Sequence, residues 1–290
     1  MKLAWAVPLM LLGAMPAAAQ SDPDRKVDPT FLHRFVPDVA VKTVPISSAS
    51  AKYRPLFGEG DDNSQILRGV TRFGQLSVDA GGRSSKVSYA REEHMLVILS
   101  GSGTVSYGGK DYPVKANDFM YLPPTVEFGL NGGKEPVTAI LMGFAIPEGM
   151  KLTVPDTLKL DNIDNVPLVT VGSHPVSTLY RLLMGDTTST RDRLSTGHVM
   201  ISLFVMEFQP GGTNFPHHHE TQEEIYILLD GTGEMVAGSG MNGIEGKYPA
   251  KPGDAYFYRA NATVGFYNDA TPGKKPARIL AVRSNLPPRK

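Results

Sequence analysis

From Gln65 to Ile146, and again from Thr196 to Val282, the chain is written in short apolar runs that alternate with polar positions and end on Gly, Pro or Asn. Met95–Ser100 (MLVILS) and Glu224–Leu229 (EIYILL) are typical of these runs. Alternation of this kind, broken at short intervals by turn residues, predicts β-strands of a sandwich or barrel, and neither stretch contains a long amphipathic helix. Glu148–Gly197 joins the two stretches and is longer than an ordinary loop. Within it Leu158–Leu160, Val166–Val171 and Leu179–Leu183 are apolar enough to form strands, so the second unit can begin as early as Val166. Ahead of the first unit, Ser21–Pro45 is polar and interrupted by Pro23, Pro29, Pro37 and Pro45. It reads as an extended arm lying on a barrel or on a second subunit. Ser47–Tyr53 is small and polar, a turn or a short helix.

The two stretches are copies of one unit. Setting Gly81 against Gly211 brings His94 onto Glu224, Gly101 onto Gly231 and Gly103 onto Gly233 without a gap. Six extra residues in the second copy, in the Gly-rich hairpin around Ala237–Gly246, then align Tyr112–Asp118 with Tyr248–Asp254. The expected organisation is an export signal at 1–19, an arm at 20–64, a first β-unit at 65–150, a connection at 151–195 and a second β-unit at 196–290.

Composition narrows the function classes. The 29 basic and 29 acidic residues balance, and no long run of Lys or Arg is present, which argues against a nucleic acid or an anionic membrane as partner. Lys2, an apolar run from Leu3 to Met15 and then Ala17-Ala18-Ala19 resemble a secretory signal cut after Ala19; the run is too short for a permanent membrane span. The mature chain is therefore expected to be periplasmic or secreted, with no membrane attachment after processing. With no cysteine, it has neither disulfides nor a lipidated thiol and must rely on its core.

The chemistry is concentrated in Pro210–Gly233, PGGTNFPHHHETQEEIYILLDGTG. In an extended segment His217 and His219 point to one face and His218 to the other, while Glu224, Tyr226 and Leu228 share a face of the following strand. A turn at Glu220–Glu223 would bring two imidazoles and one carboxylate together, with Glu223 as the rival ligand. Two His and one carboxylate leave open positions on a metal, as in non-haem iron sites; manganese, nickel and zinc accept the same ligands. The plain alternative is a solvated His tract with adventitious metal affinity.

The spacing of Gly211, His217, His219, Glu224 and Gly231 resembles the first signature motif of the cupin superfamily. The resemblance implies an all-β fold of two antiparallel jelly-roll barrels, a bicupin, with one divalent ion, Fe or Mn foremost, held by His217, His219 and Glu224. The first copy has Val87, Tyr89 and His94 at the ligand positions and is expected to hold no metal, with His94 as a packed core residue. The second signature motif fits at Gly253-Asp254 and Asn268 but has Arg259, Asn261 and Val264 where the family has Pro, Gly and the fourth ligand, His. Tyr226, Val264 and Phe266 are expected to line the metal cavity; Tyr256 and Tyr258, on one face of their strand, read first as packed barrel tyrosines, with a reach to the metal or a substrate as the alternative.

An apolar, aromatic cavity of that kind suits a planar or carbonyl-bearing small molecule. The chain is also distantly similar to ureidoglycine aminohydrolase-like and quercetin dioxygenase-like bicupins. A metal-dependent, dioxygenase-like enzyme acting on a small organic substrate is the leading expectation. A metal-dependent lyase, decarboxylase or hydrolase and a non-catalytic small-molecule or sugar-binding module stand beside it. Self-association into a homo-oligomer is compatible with the arm.

Overall fold

The structure is a computed structural model that describes residues 29–172, 174–238 and 245–287; the segment 1–19 read as an export signal and the tip of the Gly-rich hairpin lie outside them. The described residues form strands and two short 3-10 turns, and none of their helices is long and apolar enough to cross a membrane. In the first half the strands are β1 (Phe31–Phe35), β2 (Ala51–Gly58), β3 (Val70–Val78), β4 (Glu92–Ser100), β5 (Ser102–Tyr107), β6 (Lys110–Lys115), β7 (Asp118–Leu122), β8 (Phe128–Gly132), β9 (Val137–Ala145) and β10 (Lys159–Asn162). In the second half they are β11 (Leu168–Val169), β12 (Thr178–Asp186), β13 (Leu194–Gly197), β14 (Met200–Phe208), β15 (Gln222–Asp230), β16 (Gly233–Gly238), β17 (Glu245–Ala250), β18 (Asp254–Tyr258), β19 (Thr263–Asn268) and β20 (Ala277–Asn285).

The first barrel joins a sheet of order β10-β7-β4-β9-β3-β2 to a smaller one, β6-β5-β8. The second repeats this with β1-β18-β15-β20-β14-β12-β11 and β17-β16-β19. Neighbours are antiparallel except β13, which runs parallel to β12. The stretch between the copies is shared out: β10 pairs with β7 of the first barrel, and β11, β12 and β13 belong to the second. Ala51–Gly58, inside the segment read as arm, is a strand paired with β3, preceded by a turn at Ala49-Ser50 and not by a helix. The arm itself crosses to the other barrel. There β1 adds to the edge strand β18, and His33 Nε2 meets Asp254 Oδ1 at 2.8 Å.

Pleating decides what each strand residue does. On β4, His94, Leu96 and Ile98 point into the first barrel while Met95 and Val97 point the other way; on β15, Tyr226 and Leu228 point into the second while Ile225 and Ile227 point out. The outward sets of both barrels meet in one shared core, where Phe57 and Phe257 lie with ring centroids 6.0 Å apart. The barrels are therefore fused through a hydrophobic layer between their two large sheets, which removes a broad apolar face from water.

Two carboxylates lie in that layer. Glu223 is buried and accepts the backbone N–H groups of Arg68, Gly69 and Val70 of the first barrel at 2.6, 2.7 and 3.2 Å. Glu93, its partner in the ungapped repeat, accepts those of His198, Val199 and Met200 of the second barrel at 2.7, 2.9 and 2.7 Å. Each barrel thus satisfies the start of a strand in the other with a charged acceptor, a strong use of a buried carboxylate. Burial pushes the Glu223 carboxyl above the usual carboxylate range, with the three amides pulling the other way.

Removing such an acceptor leaves backbone donors buried without partners. Glu223→Ala is expected to cost on the order of 3 kcal/mol of stability, and Glu223→Gln, which keeps one acceptor oxygen, less. The midpoint of urea unfolding of the metal-free variants checks this; an unchanged midpoint would remove the clasp from the account.

Candidate metal centre

The segment before β15 is bent so that His217 and His219 face the barrel. Phe215 takes a left-handed backbone, φ 51°, with its N–H held by Thr213 Oγ1 at 3.0 Å. Its carbonyl then accepts from His217 Nδ1 at 2.8 Å, which fixes the tautomer and leaves Nε2 with a free lone pair. His217 is paired with Val264 through two backbone hydrogen bonds of 3.0 and 2.8 Å, and the His219 carbonyl accepts from Asn261 N at 2.8 Å. Asn261 has φ 64°, a conformation open to Asn as well as Gly, so its place at a motif glycine has a physical basis. His218 faces solvent.

His217, His219 and Glu224 converge, each offering a ligand atom within 4.8 Å of the others. Atoms bound to one ion at about 2.1 Å lie up to about 4.2 Å apart, so a small side-chain adjustment closes the set. The His217 and His219 rings are 5.0 Å apart and nearly perpendicular, and His219 Nε2 lies 3.2 Å from Glu224 Oε2. That oxygen is buried and has no hydrogen-bond partner. An unpartnered carboxylate oxygen facing two imidazoles fits a divalent cation, which would satisfy it. Burial raises the Glu224 carboxyl, but contact with His219 and the charge of Arg283 outweigh this and hold it below its ordinary value. Burial lowers His217, so both ligands are in their metal-binding forms at neutral pH. Glu223, the rival ligand, points out of the barrel into the clasp.

A cavity of about 80 Å³ adjoins the three residues. Of the five candidate pocket residues, Tyr226 lines it. Tyr256, Tyr258, Val264 and Phe266 also point inward but pack on one another in the barrel core and do not line this cavity. Its wall comes instead from β12, β14 and β20, with His174, Tyr180, Arg191, Met206 and Arg283. It is more polar than the sequence implied. Arg283 stands directly opposite Glu224 in the β15–β20 register, with Nη1 3.4 Å from His219 Nε2 and Nε 3.8 Å from Glu224 Oε1. Its Nε is buried without a hydrogen-bond partner. The signal for it was present: in β20, Ala277, Ile279 and Ala281 face the core, and Arg283 is the next residue in that frame. His174 stacks edge-on to His217, ring centroids 5.3 Å apart, and its Nδ1 bonds the Asn214 carbonyl. No local pattern singles out His174. Asn214 ties the base of the site by donating to Tyr226 Oη at 3.1 Å and accepting from Phe266 N at 2.9 Å.

In the first barrel the aligned positions carry Val87, Tyr89 and His94. His94 is buried, 1% exposed, with Nε2 3.3 Å from Glu92 Oε2. Arg72 joins Glu92 and lies over the Tyr89 ring, 4.0 Å from its centroid. Burial raises the Glu92 carboxyl, but contact with His94 and the Arg72 charge bring it down to about 2.

The chain matches the Cupin domain family over residues 74–143 and 204–283, and it belongs to that family. It is a bicupin, one such domain in each barrel. No curated protein matches it. Among solved structures it is similar to the protein Ylba from E. coli, with 17% identity, a TM-score of 0.65 and coverage of 90% of this chain and 94% of that one. A putative glyoxylate induced protein from Pseudomonas aeruginosa is similar at 12% identity and a TM-score of 0.70, covering 93% and 95%. The oxalate decarboxylase of Lactobacillus farciminis, solved as a formate complex, is similar at 11% identity and a TM-score of 0.65, covering 91% and 88%. At these identities the likeness establishes the fold.

Two outcomes follow from the geometry. His219→Ala is expected to weaken binding of Mn2+ or Fe2+ by more than about 100-fold, since loss of an orienting partner alone costs about 10–100-fold; calorimetric titration of the metal-free proteins measures it. Glu92 has a folded pKa of about 2 against 4.5, so it contributes stability above 4.5 that is lost as pH falls from there towards 2. Replacing it with Gln is expected to flatten the acid limb of a stability profile in that window, and a limb of unchanged slope would contradict it.

Proposed function

We propose that this chain is a metal-dependent enzyme acting on a small organic molecule that carries a carboxylate or similar anionic oxygen group. The observation that carries this reading is the meeting of His217, His219 and Glu224 with the Arg283 guanidinium at one cavity of about 80 Å³. Three protein ligands, with Val264 at the position of the family's fourth, leave several places on an ion for substrate oxygens and dioxygen. A divalent ion, Fe or Mn ahead of Ni or Zn, would polarise a bound oxygen group. Arg283 would orient the anion beside it through charge-assisted hydrogen bonds, its fork geometry matching a carboxylate. The cavity is small against the roughly 300–1,000 Å³ of drug-sized sites, which favours compact acids over the broad aromatic molecules that an all-apolar pocket would take. Oxygen-dependent oxidation, the dioxygenase-type reaction, is the first reading of the chemistry.

Arg283 supports a second reading, a lyase or decarboxylase in which the ion acts only as a Lewis acid on a bound carboxylate. The likeness to an oxalate decarboxylase is in keeping with it. We further propose that the mature chain, cut after Ala19, works in the periplasm or outside the cell.

The test is to incubate the metal-loaded protein with panels of oxo acids, small carboxylic acids, diketones and phenols, with and without oxygen, while following product mass. Oxygen-dependent turnover with incorporation into product supports the first reading, and turnover without oxygen the second. Saturable binding without turnover leaves a binding module. For an acid substrate, Arg283→Ala is expected to raise KM or Kd by about 10–100-fold with the metal retained, the worth of one charge-assisted hydrogen bond. An unchanged value would remove Arg283 from the substrate site.

A further inference from the structure

The two barrels can be compared row by row, because the register of the three central strands repeats. In the first barrel Arg72 on β3, Gly143 on β9 and His94 on β4 are Cα partners across the sheet. In the second the same row holds Ser202 on β14, Arg283 on β20 and Glu224 on β15. Each row therefore carries one arginine, on different strands. Glycine on β9 makes room for it in the first barrel: a Cβ at Gly143 would lie 2.7 Å from Arg72 Cγ and 2.9 Å from His94 Cδ2.

We propose that the Arg72 guanidinium is the first barrel's permanent substitute for a metal ion, and that it keeps the Glu59, Glu92, Tyr89 and His94 cluster from being a second metal site. Arg72 is 3% exposed. Its guanidinium ion-pairs with Glu59, donates to Glu92 Oε2 and to Tyr89 Oη at 2.8 Å each, and covers the Tyr89 ring. Tyr89 and His94 align with His219 and Glu224, so the guanidinium rests on the counterpart of one of the second barrel's ligands and is linked through Glu92 to the counterpart of another. Two carboxylates and a phenol around the guanidinium, with an imidazole 3.3 Å from one of the carboxylates, offer donors of the kind a hard divalent cation takes once the guanidinium is gone. With a fixed cation already paired to both carboxylates, an incoming ion would meet like charge at short range in a poorly solvated place. In the second barrel Ser202 stands in the place of Arg72 and accepts from Arg191 Nη2 at 3.1 Å, and among the described residues no guanidinium nitrogen comes closer to Glu224 than the Arg283 Nε, 3.8 Å from its Oε1. The proposal rests on the second barrel being the metal centre, and the test separates the two claims.

The experiment is equilibrium dialysis of the metal-free full chain against excess Mn2+ or Zn2+, with bound ion counted by elemental analysis and folding checked by thermal unfolding. Expected occupancies are one ion for the wild type, none for His219→Ala, one again for His219→Ala with Arg72→Ser, and none for His219→Ala with Arg72→Lys, which keeps the charge. Should the double variants not fold, Arg72→Ser alone is expected to take two ions, and the wild type to saturate at one. A folded His219→Ala, Arg72→Ser protein that binds no ion overturns the proposal, and so does a wild type that saturates at two. An ion retained by His219→Ala but lost when His94→Ala is added also overturns it, by placing metal in the first barrel beside Arg72. An ion retained by both variants removes the metal centre assigned to the second barrel, and the proposal falls with it.

Discussion

Two buried carboxylates set the geometry on which the rest of this molecule depends. Glu93 and Glu223 each reach across the layer between the barrels and accept three backbone N–H groups from the start of a strand in the other. A strand has only two faces, so fixing Glu223 outward fixes Glu224 inward. A slip of one residue would bring Glu224 into the hydrophobic layer and an apolar neighbour into the metal position. The same logic holds Glu93 outward and His94 inward in the first barrel, which is why the Glu-His and Glu-Glu pairs occupy matching places in the repeat.

Much of this was legible in the chain because it is local. Alternation in MLVILS and EIYILL assigns the inner faces of β4 and β15, and the spacing of His217, His219 and Glu224 within one turn and one strand marks a candidate ligand set. The turn chemistry is local too, since Asn261 stands where a left-handed residue is needed. What could not be read was set by pairing between distant strands. Arg283 meets Glu224 only because β20 inserts between β14 and β15, and His174 meets His217 only because the segment before β12 folds over the cavity. For Tyr256, Tyr258, Val264 and Phe266, the alternation gave the inward face but not the depth. They fill the barrel, and the cavity opens on the side of β12 and β14. The clasp was hidden for a related reason: in sequence Glu223 is only a neighbour of Glu224, and its partners at 68–70 belong to the other copy.

The comparison of the copies also explains how one scaffold supports different electrostatics. Each barrel holds buried donors of negative charge near the same row, and each places a guanidinium there. In the first, the Arg72 guanidinium is paired through both terminal nitrogens with two carboxylates and a phenol, so the charge is balanced within the protein although its Nε has no partner. In the second, Glu224 keeps an oxygen without a hydrogen-bond partner and Arg283 keeps an unpartnered N–H. An unfulfilled carboxylate oxygen is costly in a folded protein, and it is the arrangement expected where a cation is meant to bind.

The most direct measurement is anomalous diffraction from crystals of the manganese-loaded protein, collected on both sides of an absorption edge of the ion. The account predicts one peak per chain in the second barrel, at about 2.0–2.3 Å from His217 Nε2, His219 and Glu224, and no peak beside Arg72. Absence of a peak at those three residues, or a peak in the first barrel in its place, would contradict it.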